Sequence, residues 1–166
     1  MTSPALDQQK DHPDVVVFPP VLLLAVIALG VILDRFFPLG ILGQLPITPR
    51  LIVGLILLLG GFSFPAMTRR TFASAGTNIR PDQPTTTLVT TRIFAHVRNP
   101  AYQGGTLALL GLALLLKADW IVVLMVPALL LLHYGVVLRE EQYLELKFGQ
   151  IYRDYKARVP RYGWKF

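Results

Sequence analysis

The chain has 166 residues, of which 53% are hydrophobic and only 16% charged, and its mean hydropathy is +0.52. A soluble domain of this size needs more polar surface, so the composition predicts that part of the chain contacts lipid. The absence of cysteine excludes disulfides, thiolate metal sites and a cysteine nucleophile. Three histidines, His12, His96 and His133, lie far apart without metal-ligand spacing, so no metal ion is expected as a partner.

The first apolar run extends from Val15 to Leu33, which is 19 residues and long enough for a helix to cross the hydrocarbon core. The leader before it, residues 1–14, carries three aspartates against a single lysine. A cleaved signal peptide would begin with a basic segment instead. We therefore interpret this run as a membrane span.

The second apolar run extends from Leu51 to Met67 and is followed by two arginines. It contains three glycines, which allow helices to approach one another closely in lipid. Pro65 is expected to kink the end of this helix. Residues 15–67 are thus predicted to form the first two spans.

The third apolar run, from Gly104 to Leu116, has only 13 residues and needs Ala101 to Gln103 to reach spanning length. The fourth, from Trp120 to Leu138, begins with a tryptophan suited to the membrane interface. Only residues 117–119 separate the two runs, so they are predicted to form a tight hairpin. The expected fold is an all-α membrane protein with about four transmembrane helices in a single domain, residues 1–166.

The formal net charge of +6 is distributed unevenly along the chain. Loop 68–103 carries five arginines against one aspartate, and tail 139–166 carries seven basic residues against four acidic ones, giving +4 and +3. Loop 34–50 and turn 117–119 carry +1 and 0. The positive-inside rule therefore places the long loop, the tail and the leader in the cytoplasm, with both termini. Anionic lipid headgroups account for such a basic side, and nucleic acid is not needed as a partner.

The tail is predicted to contain an amphipathic cytoplasmic helix. An apolar and aromatic stripe recurs at i, i+3, i+4, i+7 and i+11 from Phe148 to Val159 and includes Ile151, Tyr152 and Tyr155. The stripe suits the lipid headgroup boundary, but packing on the helical bundle would use the same pattern.

Polar residues that could carry chemistry cluster at both ends of the predicted hairpin. One segment, Arg98 to Gly105, precedes the third span, and Arg139-Glu140-Glu141 follows the fourth. Because a hairpin returns the chain to the side from which it started, both clusters and the adjoining tail are expected to form one pocket at the membrane edge.

This ordered set of motifs resembles a family of integral membrane methyltransferases that includes isoprenylcysteine carboxyl methyltransferases and phospholipid methyltransferases. The resemblance covers about residues 88 to 162, and residues 88–166 are expected to form a methyltransferase-like core. The family pattern is Arg-His-Pro-x-Tyr-x-Gly, a Glu-Glu pair, Phe-Gly-x-x-Tyr-x-x-Tyr and Val-Pro-Arg. In this chain it reads Arg98-Asn99-Pro100-Ala101-Tyr102-Gln103-Gly104, Glu140-Glu141, Phe148-Gly149-Gln150-Ile151-Tyr152-Arg153-Asp154-Tyr155 and Val159-Pro160-Arg161.

Two departures from the family pattern stand beside the first motif. Asn99 replaces the usual histidine, and an asparagine forms hydrogen bonds but does not titrate near neutral pH. Residues 92–95 replace a common Gly-Pro-Tyr-Arg run. Any contact that the family makes through those residues cannot be transferred to this chain.

The resemblance implies S-adenosyl-L-methionine as the cofactor. Glu140 or Glu141 would then hold its ammonium or ribose hydroxyls, and Arg98 would pair with its carboxylate or with the acceptor. Gly104 would allow close backbone approach, and Tyr102 would pack near the adenine. The candidate cofactor-binding residues are Arg98, Asn99, Tyr102, Gly104, Glu140, Glu141 and Tyr152, of which Arg98 and Glu141 are also the catalytic candidates.

The implied reaction is methyl transfer to a lipophilic acceptor that enters from the bilayer, which resembles protein-S-isoprenylcysteine carboxyl O-methylation. A phospholipid or another small lipophilic amine is the alternative acceptor. An amine needs a proton acceptor, and because the sequence shows no obvious base, it favours an ionised carboxylate.

The rival interpretation is a non-catalytic lipid-binding subunit, which Asn99 favours. Gly104, Ala108 and Gly111 could equally form a helix-packing seam.

Overall fold

The computed structural model describes residues 12–77 and 84–164, and every regular element in these ranges is helical. Most of the predicted leader and the centre of the long loop, including Arg80 and Asp82, lie outside the described residues. The main helices are α1 (Pro19–Phe36), α2 (Ile47–Ala75), α3 (Pro100–Leu116), α4 (Asp119–Leu132), α5 (Leu138–Phe148) and α6 (Gln150–Arg158).

Three helical segments are long and apolar enough to cross a membrane: α1, α2 and the continuous helix Asp119–Phe148. Helix α3, with 17 residues, is a shorter apolar helix, and it begins at Pro100, ahead of the apolar run, as the sequence required. A proline at the first position suits a helix start, because its missing N–H has no partner there. The chain is therefore an all-α integral membrane protein.

Helix α2 is longer than the apolar run that predicted it. It has 29 residues and a length of about 43 Å at 1.5 Å per residue, whereas the hydrocarbon core is about 30 Å thick. It passes through Pro65, and the Thr68 hydroxyl donates a hydrogen bond to the carbonyl of Phe64 at 2.9 Å. The helix ends at Ala75 and is capped by Gly76, whose φ of 66° is the left-handed conformation that favours glycine.

Helices α2 and α3 are in contact along a seam of glycines. Gly54 and Gly61 of α2 face Gly104 and Gly111 of α3, so each helix repeats a glycine every seven residues. A Cβ built at Gly61 would lie 2.5 Å from the backbone nitrogen of Ala108, closer than real side chains come. The seam interpretation of the α3 glycines is therefore confirmed, and α2 is fixed tightly against one face of α3.

The Gly61→Ala variant is expected to unfold more readily than the wild type, by about 1–3 kcal/mol, because the added methyl forces two helix backbones apart. Gly60→Ala is the matched control, since a Cβ at Gly60 meets nothing within 4 Å. Thermal unfolding of both variants in one detergent measures the difference. Equal melting temperatures would contradict the close approach of the two helices.

Helix α1 packs mainly against α4, and the two helices share a core with α3. Val26, Leu109, Ile121 and Met125 are buried together there. The α3–α4 hairpin turns at Lys117, as predicted, in a left-handed conformation with φ 57°. Beside the turn, the buried Asp119 carboxylate accepts hydrogen bonds from two backbone N–H groups of the α1–α2 loop, at 2.9 and 2.8 Å.

A single π-helical turn, His133–Val137, joins α4 to α5 without interrupting the helix. The N–H of Leu138 bonds to the carbonyl of His133, five residues earlier. The Gly135 carbonyl instead accepts a hydrogen bond from the N–H of Val16, at 2.9 Å. Because the wide turn holds one extra residue, the face of α5 is rotated by about 100° from the face that an uninterrupted α-helix would present.

The tail forms two helices, because Gly149 breaks the predicted one with a φ of 55°. Tyr152, Tyr155 and Val159 form a buried cluster against Leu88 and neighbouring residues of α5. Ile151 is 68% exposed, so it does not share their face. The stripe therefore packs on the bundle, and its prediction was wrong at Ile151, which lies in the first turn of α6.

Candidate active site

Two of the sequence motifs are joined by their backbones at the start of α3. The N–H of Arg98 donates a hydrogen bond to the carbonyl of Pro160, at 3.0 Å. The Asn99 amide donates to the carbonyl of Arg161, at 3.4 Å. The Val-Pro-Arg segment thus lies against the Arg-Asn-Pro segment, and Asn99 holds the two together.

Glu141 lies between two arginines. Arg161 donates to both carboxylate oxygens, from Nε at 2.9 Å and from Nη2 at 2.7 Å. Arg98 Nη1 lies 3.0 Å from Oε1 of the same carboxylate. The side chains of Glu141 and Arg98 are 8% and 9% exposed, so this ion pair is largely shielded from solvent. The hydrogen bond with Glu141 also raises the pKa of Arg161, which keeps that guanidinium charged.

Glu140 is held differently from its neighbour. Its Oε1 accepts a hydrogen bond from the Tyr102 hydroxyl at 2.6 Å. Within the described part of the chain it has no cationic partner. One of the two adjacent carboxylates is therefore neutralised by arginines, and the other is oriented by a neutral tyrosine and remains available to bind a cation.

Tyr152 and Tyr155 are buried beneath the arginine pair. Burial is the main cause that raises the pKa of both phenols well above the usual value, and for Tyr152 the nearby Glu141 carboxylate adds to it. Both phenols therefore stay protonated at physiological pH. The Tyr155 hydroxyl donates a hydrogen bond to the carbonyl of Phe94 at 2.8 Å, which ties α6 to the segment before α3.

Apart from Pro160 and Arg161, these residues line one cavity of about 680 Å³. Its polar end contains Arg98, Asn99, Tyr102, both glutamates and Tyr152, together with Thr85 and Thr87 of the loop before α3. The cavity continues between α1, α2 and α3, where its lining is almost wholly apolar. It is therefore amphipathic, with a charged end and a long hydrocarbon-like end.

The phospholipid methyltransferase family model matches residues 49–151, which is more than half of the chain. The chain belongs to the phospholipid methyltransferase family. No curated protein and no solved structure matches it. The family catalyses methyl transfer in membranes, so membrane methyltransferase is the activity class of this chain.

The match to the phospholipid methyltransferase family begins in α2, earlier than the resemblance that starts near residue 88, and it ends in α6 before Tyr152. It covers Arg98 and both glutamates but not Arg161. The described residues include no group of three or more His, Cys, Asp or Glu side chains that could hold a metal ion.

Six of the seven candidate residues from the sequence line the same cavity: Arg98, Asn99, Tyr102, Glu140, Glu141 and Tyr152. Gly104 does not. A Cβ at this position would lie 2.5 Å from the Gly61 carbonyl oxygen and from Cβ of Phe64, so its open side is filled by α2. The prediction that Gly104 approaches a cofactor is corrected on this ground.

Arg161 belongs to the Val-Pro-Arg motif of the sequence, but it was not among the predicted site residues. Its double hydrogen bond to Glu141 makes it the main partner of that carboxylate. The signal was present in the Val-Pro-Arg motif, since an arginine beside a proline-fixed segment can present a rigid fork of donors. The residues of α1 and α2 that line the cavity belong to no sequence motif, so they could not be predicted as part of the site.

Proposed function

We propose that the chain transfers a methyl group from S-adenosyl-L-methionine to a lipophilic acceptor that carries an amine. The observation that supports this most directly is the continuous cavity, which joins a carboxylate- and arginine-containing end to an apolar groove between α1 and α2. A cofactor with charged groups fits the first part, and an acceptor with a hydrocarbon tail fits the second.

The residues at the polar end fit the cofactor. The buried Nε of Arg98 finds no hydrogen-bond acceptor within residues 12–77 and 84–164, and Arg98 lines the cavity, so Nε offers an unused donor to a carboxylate. Asn99 and Tyr152 add hydrogen-bonding groups in the same wall. When bound, S-adenosyl-L-methionine supplies a methyl group on a positively charged sulfur. Arg98 would hold its carboxylate, and Glu141 would keep Arg98 in place.

Glu140 is the proposed proton acceptor. An aliphatic amine is protonated near neutral pH and must lose a proton before its nitrogen can attack a methyl carbon. The Glu140 carboxylate lies in the cavity wall, has no arginine partner among the described residues and is oriented by Tyr102. It can therefore first bind the ammonium and then take its proton. The apolar lining keeps bulk water away from the reacting groups.

A carboxylate acceptor, which the sequence favoured, would need a cation to orient it. Both nearby arginines are paired with Glu141, and the unpaired Nε of Arg98 suits the cofactor. An anionic acceptor would also be repelled by Glu140. These contacts support an amine over the carboxyl group of a prenylated cysteine.

The polar end of the cavity is proposed to face the cytoplasm. Loop 68–103 and tail 139–166 carry most of the positive charge, and the positive-inside rule places such segments there. A cytoplasmic opening would give the charged cofactor access from water, while the acceptor would reach the groove from the bilayer.

The test is transfer of labelled methyl from S-adenosyl-L-methionine by the purified protein in nanodiscs. The acceptors are a membrane lipid extract, a panel of long-chain amines and a panel of prenylcysteines. Label in the amines is expected, and label in prenylcysteines alone would overturn the amine assignment. Affinity for S-adenosylhomocysteine is measured beside it, and no binding at millimolar concentration would favour the non-catalytic lipid-binding subunit.

The Arg98→Lys variant is expected to bind S-adenosylhomocysteine at least tenfold more weakly. A lysine keeps the charge that Glu141 needs but lacks the Nε donor, and a charge-assisted hydrogen bond contributes about 1.5–3 kcal/mol. Arg153→Lys is the control, because Arg153 is an exposed residue of α6 that does not line the cavity. Equal affinities of the two variants would contradict the assignment of Arg98 to the cofactor.

A further inference from the structure

Residues 160–164 form a strap on the outside of the helical bundle. The strap begins beside the site, where Arg161 is bonded to both carboxylate oxygens of Glu141. It ends at Trp164, whose ring stacks on that of His96 with the centroids 4.6 Å apart. The strap therefore runs from α5 across the start of α3 to the segment that precedes α3.

Two polar side chains of the spans form hydrogen bonds with this strap. Gln103 lies in the first turn of α3 and His133 follows directly after α4, and neither lines the cavity. The N–H of Gly163 donates to Oε1 of Gln103 at 3.1 Å, and the Tyr162 hydroxyl is hydrogen-bonded to Nδ1 of His133 at 2.9 Å. In lipid, polar groups need partners within the protein. The strap gives Gln103 and His133 such partners, so it shares their depth.

Two helices of the hairpin give this depth independently. His133 follows Trp120 by 13 residues, and Gln103 precedes Lys117 by 14 residues. At 1.5 Å per residue these separations are about 20 and 21 Å. Trp120 and Lys117 lie at the same end of the hairpin, so the two counts agree. The middle of the strap is therefore about 20 Å from that end of the bundle.

Exposed charges begin farther out along the helices. Arg139 of α5, whose side chain is 45% exposed, follows Trp120 by 19 residues, or about 28 Å. On α2, Phe64 meets the Trp164 ring edge-on at 6.3 Å and precedes the exposed Arg69 by five residues, or about 8 Å. The strap thus lies about 8 Å inside the level of these charges. Interfacial segments bury their apolar groups to a similar depth of about 5–10 Å.

The strap presents aromatic surface at this depth. Tyr162 and Trp164 are 43% and 39% exposed, and side chains with an apolar body and a polar tip favour the membrane interface. We propose that the strap is an interfacial anchor: Tyr162 and Trp164 insert into the leaflet at the polar end of the cavity, and their contact with lipid holds Arg161 on Glu141. Insertion of the strap is independent of the proposed function, whereas its effect on cofactor binding rests on that function.

Arg161 lies between the two attachments of the strap. Before it, the Pro160 carbonyl accepts a hydrogen bond from the N–H of Arg98 at 3.0 Å, and after it come the two aromatic residues. The Arg161 side chain is 31% exposed, so it can turn away from Glu141 when the strap detaches. Glu141 then keeps Arg98 as its partner, at 3.0 Å, and the pair is less restricted. Detachment is therefore expected to weaken the cofactor site while the helical bundle stays folded.

The depth of Trp164 can be measured by its own fluorescence. The chain has two tryptophans, so the Trp120→Phe variant leaves Trp164 as the only indole. This variant is placed in phosphatidylcholine nanodiscs whose acyl chains carry bromine either near the head group or near the chain end, with iodide as the quencher in water. Shallow bromine is expected to quench Trp164 at least twofold more than deep bromine. Strong quenching by iodide with none by bromine would overturn the anchor.

The hydrogen bond in the first turn of α3 is tested in the same background. Replacing Gln103 by methionine keeps the side-chain size but removes the acceptor of the Gly163 N–H. Quenching of Trp164 by iodide is expected to rise at least twofold, and no change would overturn the role of this bond in holding the strap. Phe36→Ser is the matched control, because Phe36 is 70% exposed, ends α1 at the opposite end of the bundle and does not line the cavity.

The double variant Tyr162→Ser, Trp164→Ser tests the effect on the site. It keeps Arg161 and is expected to bind S-adenosylhomocysteine at least fivefold more weakly, with a melting temperature close to that of Phe36→Ser. In an Arg161→Gln background the same two changes should weaken binding less than twofold, because both act through one contact.

Unchanged affinity in the double variant, or losses that add fully in the Arg161→Gln background, would overturn the coupling of the strap to Arg161. Failure of the proposed function shows itself separately. Wild-type protein would then bind no S-adenosylhomocysteine, while bromine quenching of Trp164 would still report the insertion of the strap.

Discussion

Replacing Glu140 by glutamine is expected to lower kcat/KM for methyl transfer to amine acceptors by about 100- to 10,000-fold, the usual contribution of a positioned proton acceptor. The amide has the shape of the carboxylate and can still accept the hydrogen bond from Tyr102, but it can neither pair with an ammonium nor take its proton. Single-turnover rates with saturating S-adenosyl-L-methionine measure the loss. Affinity for S-adenosylhomocysteine should stay close to that of the wild type.

Glu145→Gln is the matched control for this variant. Glu145 lies on the same helix, α5, but pairs with Lys156 and Arg153 and does not line the cavity. Its neutralisation should leave transfer nearly unchanged, because such partly exposed ion pairs contribute little. If both variants kept full activity, Glu140 would not be the proton acceptor. If Glu140→Gln lost S-adenosylhomocysteine affinity instead of turnover, its carboxylate would belong to the cofactor.

Replacing Glu141 by leucine is expected to lower the free energy of unfolding by about 3–5 kcal/mol, since it leaves a buried arginine without its counter-charge. Arg98 suffers most, because its side chain is only 9% exposed, whereas that of Arg161 is 31% exposed and can turn to solvent. Activity should be lost with stability. Thermal unfolding in detergent, together with methyl transfer below the melting temperature, measures both.

The double variant Arg98→Met, Glu141→Leu separates the two effects. Replacing both partners of a buried ion pair by apolar residues of similar size is often neutral for stability. We expect near wild-type unfolding but no S-adenosylhomocysteine binding, because the Nε donor of Arg98 is gone. A double variant as unstable as Glu141→Leu alone would mean that the pair is not the source of the stability.

The helical spans could be predicted from the sequence because lipid requires long uninterrupted apolar runs, which few other structures produce. The tight hairpin at Lys117 followed in the same way from the three residues between two runs. The extension of α2 beyond Met67 could not be predicted by this means, since residues outside the membrane need not be apolar to be helical. The stripe in the tail was predicted one residue too wide, because Ile151 in the first turn of α6 is 68% exposed while its neighbour Tyr152 is buried.

The candidate site was predictable where chemistry demands particular residue types, as at Arg98 and the two glutamates. Sequence alone could not distribute roles between Glu140 and Glu141, because their difference comes from Arg161, which is 20 residues away along the chain. Gly104 was assigned to the cofactor because a glycine permits another group to approach the backbone closely. The sequence does not show which group that is. The structure shows a neighbouring helix there. The apolar walls from α1 and α2 had no pattern that distinguishes a ligand surface from a lipid-facing one.

The π-helical turn at His133–Val137 lets one continuous helix present different faces before and after the turn. The α4 half orients its side chains for the core with α1, and the α5 half orients Glu140 and Glu141 for the cavity. Removing one residue from the turn would bring the halves into a common α-helical phase and rotate the two carboxylates by about 100° relative to α4. Tyr134, which is 64% exposed, therefore contributes to the orientation of α5 as one of the residues of the turn, and not through contacts of its side chain. Its side chain can vary, but the length of the segment cannot.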